Sequence, residues 1–191
     1  MTIKRTVQGV GYDSGGKHKV SINCKRTKTY MTWYDMLKRC YSKSWRKNRP
    51  TYKECTVHPD WHDFQNFAEW YELNEFSKLG YELDKDLLEK GNKLYSESTV
   101  CFIPKVINSA LRSESRDPKR LIGAHKVKGC KSYAAYFYSD GKNHYLGSFD
   151  DELSAHIAWV SARKERLGQL AVEWAGKIDE KALKALIQRA G

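Results

Sequence analysis

Residues 132–149, "SYAAYFYSDGKNHYLGSF", constrain the fold more than any other stretch of the chain. Aromatic and small residues alternate on both sides of "SDGKN", the pattern of two short strands joined by a glycine-containing hairpin turn. A third strand is expected upstream in "LIGAHKV". Immediately downstream, "DDELSAHIAWVSARKERLG" takes up a helical period, with Asp150 or Asp151 near its start and Gly168 as a C-terminal stop.

The first half reads differently. "TYMTWYDMLKRCYSKSW" places Trp33, Met36, Leu37, Cys40 and Tyr41 at helical spacing, with Thr32 as the expected cap and Lys38 and Arg39 facing outward. "SKSWRKNRPTY" reads as a basic loop. A second helix is expected to start at Asp60, capped by its side chain, and to bury Trp61, Phe64, Phe67 and Tyr71. Gly9, Gly11, Gly15 and Gly16 break the first 28 residues into a hairpin or irregular strands. Residues 80–111 read as strand, loop, strand and then a short helix that carries Asn108. "RSESRDPKR" has the composition of a linker, and "DEKALKALIQRAG" reads as a final helix with Leu183, Leu186 and Ile187 on one face.

These elements predict an α+β protein of two small domains joined near residues 112–120. Residues 1–118 form the first domain, 119–175 the second, and 176–191 a C-terminal helix. With 191 residues, each domain can bury only a modest core.

Charge narrows the partners. The formal net charge is +11, and it is uneven: residues 1–60 hold 14 Lys/Arg against 4 Asp/Glu, residues 61–90 hold 3 against 8, and residues 91–191 hold 17 against 11. Basic regions interleaved with Trp and Tyr fit a polyanion, most commonly nucleic acid. Arg46, Lys47 and Arg49 in the basic loop are candidate phosphate contacts. No apolar run approaches the roughly 20 residues that cross a bilayer, and the N-terminal residues do not read as an export signal. The expectation is a cytoplasmic protein with no membrane partner. The five cysteines are scattered. Cys55 and His58 in "CTVH" have ligand-like spacing, with Cys40 and Cys101 as conceivable partners, but no second ligand pair accompanies them. Buried free thiols are therefore expected in place of structural Zn²⁺.

In residues 121–171, "IGAHKV", "YAAYF" and above all "YLGSFDDELSAHIAW" resemble the ethylene-response-factor (Apetala-type) DNA-binding domain known from plants and phage endonucleases. The resemblance implies a three-stranded antiparallel sheet packed on one helix, with the sheet lying in the major groove of duplex DNA. Alternation then turns Tyr133, Ala135 and Phe137 toward the helix. His125, Ala134, Tyr136, Tyr138, Asn143 and Tyr145 face DNA. Lys126, Lys128, Lys131 and Lys142 lie in or beside the turns, within reach of phosphates. His125, Tyr136 and Tyr138 stand where the family carries arginines. Loss of those guanine-reading forks implies weak base specificity.

Residues 29–111 resemble a divergent HNH endonuclease of phage proteins, on "LDKD", "GNKLYS" and "CFIPKVIN". The resemblance implies a small ββα nuclease domain with flanking helices, in which Asp84 and Asn108 hold a divalent cation such as Mg²⁺ or Mn²⁺. The family's general base, a His directly after the Asp, is replaced by Lys85, and Asp86 follows it. Three readings stay open: a base supplied by His58 or His62, a carboxylate-plus-lysine site built from Glu82, Asp84, Asp86, Lys85 or Lys90, or a scaffold without catalysis. The expected function is a homing or nicking type of DNA endonuclease, a hydrolase encoded by a phage and acting in the host cytoplasm. The alternative is a non-catalytic DNA-binding protein, regulatory or anti-host, on a degenerate HNH scaffold.

Overall fold

The computed structural model describes residues 6–111 and 121–191, and the chain divides into two compact units, Met1–Ile103 and Pro104–Gly191. The segment "RSESRDPKR", expected as the linker, lies outside the described residues. Helices and short strands occur in both units, so the fold is α+β.

In the first unit a small hairpin of β1 (Ser21–Ile22) and β2 (Lys25–Arg26) leads into helix α1 (Lys28–Tyr41). Thr27, not Thr32, caps α1: its hydroxyl accepts from the Tyr30 amide at 3.2 Å, while Thr32 lies inside the helix and donates to the Lys28 carbonyl at 3.0 Å. The helix therefore gains residues 28–32 at its start, with Thr27 in the extended conformation that a cap requires. The stretch read as a basic loop is instead α2 (Lys43–Lys47) followed by a single turn of 3₁₀ helix, Pro50–Tyr52. Ser42 caps α2, and proline opens the 3₁₀ turn, where its missing amide costs nothing.

After β3 (Thr56–Val57), Asp60 falls in the 3₁₀ turn Pro59–His62, and α3 (Phe64–Leu73) starts three residues later than expected. Its cap is the buried Asp63, whose Oδ1 accepts from both the Gln65 and the Ser14 amides at 3.1 Å. That second bond comes from a distant segment and decides between two otherwise similar aspartates. Trp33, Met36, Leu37 and Cys40 of α1 share one core with Trp61, Phe64, Phe67 and Tyr71. Trp33 Nε1 donates to the Trp61 carbonyl at 2.7 Å, so the indole is buried without an unmet donor. Gly11 lets the N-terminal segment lie against α1, because a Cβ there would come within 2.4 Å of a Leu37 methyl carbon and 3.0 Å of the Trp33 ring.

The first unit closes with β4 (Glu82–Asp84), β5 (Leu94–Tyr95) and β6 (Cys101–Ile103). β4 pairs antiparallel with β6, Asp84 opposite Cys101, and β5 pairs parallel with β3. Leu83 and Phe102, directly opposed, join the core.

The second unit opens with α4 (Lys105–Leu111), which packs on the long helix α5 (Glu152–Glu173). Strands β7 (Ala124–Lys126), β8 (Tyr133–Ser139) and β9 (Lys142–Phe149) form an antiparallel sheet in that order. Asp140 and Gly141, both with positive φ, make the two-residue turn between β8 and β9. Asp151 caps α5 through the Ser154 amide and hydroxyl. Gly168 does not end α5, which continues for five residues and buries Leu167, Leu170 and Ala171; α6 (Glu180–Ala190) packs beside it, with Ala190 3.9 Å from where a Gly168 Cβ would lie. Tertiary burial here overrides the propensity of glycine. On α6, Leu186 is buried but Ile187, expected on the same apolar face, is exposed.

Small residues bring the sheet close to α5. Ala124, Ala135 and Ala155 form the buried centre, ringed by Tyr133, Leu146, Phe149 and Ala158. Gly123 has φ +81°, and a Cβ there would fall 2.2 Å from the Trp159 ring. Among the described residues no helix is long and apolar enough to cross a membrane.

Candidate nucleic-acid interface

The sheet has one covered side and one open side. Phe137 meets Trp159 of α5 edge-on at 6.3 Å, and Ala135 is fully buried, so odd positions of β8 face the helix as expected. Tyr136, Tyr138 and Tyr145 are exposed, as are His125 and Asn143. Ala134 departs from the expectation: it is buried, because a methyl group on the central strand between His125 and Ser148 forms the floor of that face without projecting from it.

Three rings on the open side touch in a row. His125 and Tyr136 lie edge-to-face with centroids 5.7 Å apart, and Tyr136 and Tyr145 are tilted at 5.4 Å. Each ring belongs to a different strand. Lys126, Lys128 and Lys131 are exposed at the β7–β8 end of the sheet, and Lys142 is exposed at the β8–β9 end. The one carboxylate among residues 121–149, Asp140, accepts from Arg166 Nη2 of α5 at 2.7 Å. This ion pair also ties the hairpin turn to the helix, a role that nothing in the local sequence marks.

The first unit presents its own cations on α2 and the segment after it. Of the residues expected to contact phosphate, Lys47 and Arg49 are exposed, while Arg46 is half-buried and donates to the Lys53 carbonyl at 3.0 Å. Arg49 rests 4.3 Å over the Trp45 ring, which packs edge-on against Tyr52. That stacking pre-orders the guanidinium. Lys93 lies beside this segment, its Nζ donating to the Thr51 carbonyl at 3.0 Å, and was not singled out in the sequence because it lies 42 residues beyond Thr51.

The expected nuclease residues are placed as follows. Asp84 ends β4, and its Oδ1 accepts from the Asp86 amide at 2.9 Å and the Leu87 amide at 2.7 Å, fixing the turn that follows. Burial raises the Asp84 carboxyl above its ordinary value, against the pull of those two amides. Lys85 is buried, its Nζ donating to the Asp86 carboxylate and, at 2.7 Å, to the Asn92 carbonyl. Asn92 returns a bond from Nδ2 to the Lys85 carbonyl at 3.0 Å and clasps Leu94 through both its amide atoms. "LDKD" and "GN" thus knit one loop together. Asn108 lies on α4, in the second unit. His62 Nε2 sits 3.2 Å from the Tyr41 hydroxyl, and His58 Nδ1 accepts from the Asp60 amide. Asp84 and Lys85 both hold the turn that "LDKD" forms.

Cys40, Cys55 and Cys101 are buried free thiols, whereas Cys24 and Cys130 are exposed. Burial pushes the Cys40 thiol up to about 12, and the Cys55 Sγ donates to the Thr51 carbonyl. Compared with protein-family models, curated proteins and solved structures, the chain matches none of them.

Proposed function

We propose that the chain is a DNA-binding protein that holds duplex DNA by its phosphates, through the lysine-edged open face of the β7–β9 sheet and the basic α2 segment. The observation that carries this reading is the sheet itself: one side is packed on α5, and the other exposes His125, Tyr136, Tyr138, Asn143 and Tyr145 between Lys126, Lys128 and Lys131 at one end and Lys142 at the other. Polar contacts to phosphate position a protein without reading sequence, and among the described residues β7, β8 and β9 carry no arginine fork, so the binding is weakly base-specific. The protein acts inside a cell, the host cytoplasm if it is phage-encoded. Titration of labelled duplex with the full chain tests it. Affinity that falls steeply with salt supports the reading, and the same weak retention at low and high salt overturns it.

A second reading, the Mg²⁺- or Mn²⁺-dependent homing or nicking endonuclease of the HNH type, is supported by the order β4, β6, α4, with Asp84 at the end of the first strand. Its weakness is the turn-forming role of Asp84 and the inward Nζ of Lys85. Plasmid nicking with either cation, lost in Asp84→Asn, supports catalysis. Uncut plasmid with both cations leaves the non-catalytic, regulatory or anti-host reading.

A further inference from the structure

We infer that the row of rings His125, Tyr136 and Tyr145 is a stacking platform for unpaired nucleobases. The inference rests on the DNA-binding reading above and names the substrate class of the same face: single-stranded DNA, or duplex opened by unpaired bases, in preference to fully paired duplex.

Ring geometry is the first argument. The centroids step across the three strands at 5.7 and 5.4 Å, wider than the roughly 3.4 Å rise between bases stacked in a strand of duplex. Successive bases meet successive rings only when the strand is stretched and its bases are unstacked.

The chemistry of the face is the second. A paired base offers a protein its edge, read by forks of donors and acceptors; its π face is hidden in the stack. The open side carries few such groups, chiefly the amide of Asn143, and much ring surface: Tyr136 is 40% exposed, Tyr145 60% and Tyr138 67%. On intact duplex that apolar area has no base face to cover, whereas every unpaired base has one.

Charge is the third. β8 has seven residues and is about 23 Å long, and lysines stand at both of its ends. Asp140 is held by Arg166. The ring row crosses the sheet between these two groups, so a strand laid on the rings has cations on either flank, an arrangement in which backbone charge and base stacking can act together on a single strand.

The test uses the full chain and fluorescence anisotropy, at one salt concentration, on four labelled probes of matched sequence: single-stranded DNA, single-stranded RNA, blunt duplex, and duplex with a central unpaired bubble. Tyr136→Phe and Tyr145→Phe keep the ring and are expected to keep single-strand affinity. Tyr136→Leu and Tyr145→Leu keep apolar bulk without the ring and are expected to lose about tenfold each on the single strand and the bubble, with little change on blunt duplex. Thermal melting of each variant, unchanged for side chains this exposed, excludes misfolding as the cause. The platform is overturned, with DNA binding intact, if the Phe variants lose as much as the Leu variants, or if the Leu variants weaken duplex and single strand alike. Ring-dependent binding of RNA in place of DNA supports stacking and overturns the DNA assignment. Salt-sensitive binding to none of the four probes overturns both this inference and the reading beneath it.

Discussion

Tyr136 of β8 and Tyr145 of β9 are direct cross-strand partners with ring centroids 5.4 Å apart, and they share the open side of the sheet because of a bulge one residue away. Phe149 packs toward α5, and strict alternation back along β9 turns Tyr145 toward α5 as well. The register skips Leu146: Ala135 pairs with Gly147, and Tyr136 with Tyr145. Leu146 takes the inward place instead, Gly147 absorbs the bend with φ +135°, and Tyr145 turns out. The Leu-Gly-x-Phe motif is thus the sequence form of the bulge that completes the ring row.

Gly147→Val follows from that geometry. A β-branched residue at φ +135° is strained, and its Cβ starts 3.4 Å from the Phe149 ring. The expected cost is about 1–3 kcal/mol of stability by thermal or urea melting. Unchanged stability says the bulge does not sit at this glycine.

The alternation of residues 133–138 was legible because a strand's period of two separates ring from ring, and Tyr136, Phe137 and Tyr138 lie where that period puts them. What stayed hidden depended on distant partners. Thr27 and Thr32, or Asp60 and Asp63, are equally able caps by residue type, and the choice at Asp63 is made by the amide of Ser14. The density of positive charge in residues 43–53 reads as loop, although a serine cap and good helix formers were present for α2. At "LDKD" the residue types suggested chemistry, but the direction of the Lys85 side chain and the bonds of Asp84 to Asp86 and Leu87 depend on a turn that its sequence does not encode alone.

Asp84 is expected to show its structural role through pH. A carboxyl raised by burial binds its proton more tightly folded than unfolded, so its contribution to stability is present at acidic pH and lost as pH rises through the raised value. Asp84→Asn keeps an acceptor for the two amides without a charge. It is expected to melt at or above the wild-type temperature near neutrality, the gap closing on acidification. Asp84→Ala removes the acceptor and is expected to cost about 1–2 kcal/mol. A wild type that gains on Asp84→Asn as pH rises contradicts this assignment.

Lys85→Met tests the loop clasp. It preserves most of the buried stem and removes the donor to the Asn92 carbonyl. The expected loss is about 1–3 kcal/mol, mainly from that buried carbonyl, since the Asp86 carboxylate stands half in solvent and its ion pair adds little. Urea melting reads the loss, and duplex affinity at low salt is expected to be unchanged. Full stability in Lys85→Met refutes the clasp.

Gly123→Ala probes the packing of the sheet on its helix. The new methyl has to displace the Trp159 ring from 2.2 Å, at a backbone φ of +81°. A loss of about 2 kcal/mol or more is expected by melting. Tolerance of alanine shows that the sheet and α5 are less closely packed than described.

The central claim, phosphate-driven DNA binding by the lysine-edged sheet, is tested most directly by the salt slope of duplex affinity. The comparison is between the full wild-type chain and a variant with Lys126, Lys128, Lys131 and Lys142 all changed to Gln. Each lysine that neutralises a phosphate contributes about 0.9 to the slope of log affinity against log salt. The account predicts weaker binding and a slope shallower by about 2–4 in the variant, with unchanged melting because all four side chains are exposed. A variant that binds with wild-type affinity and slope contradicts it.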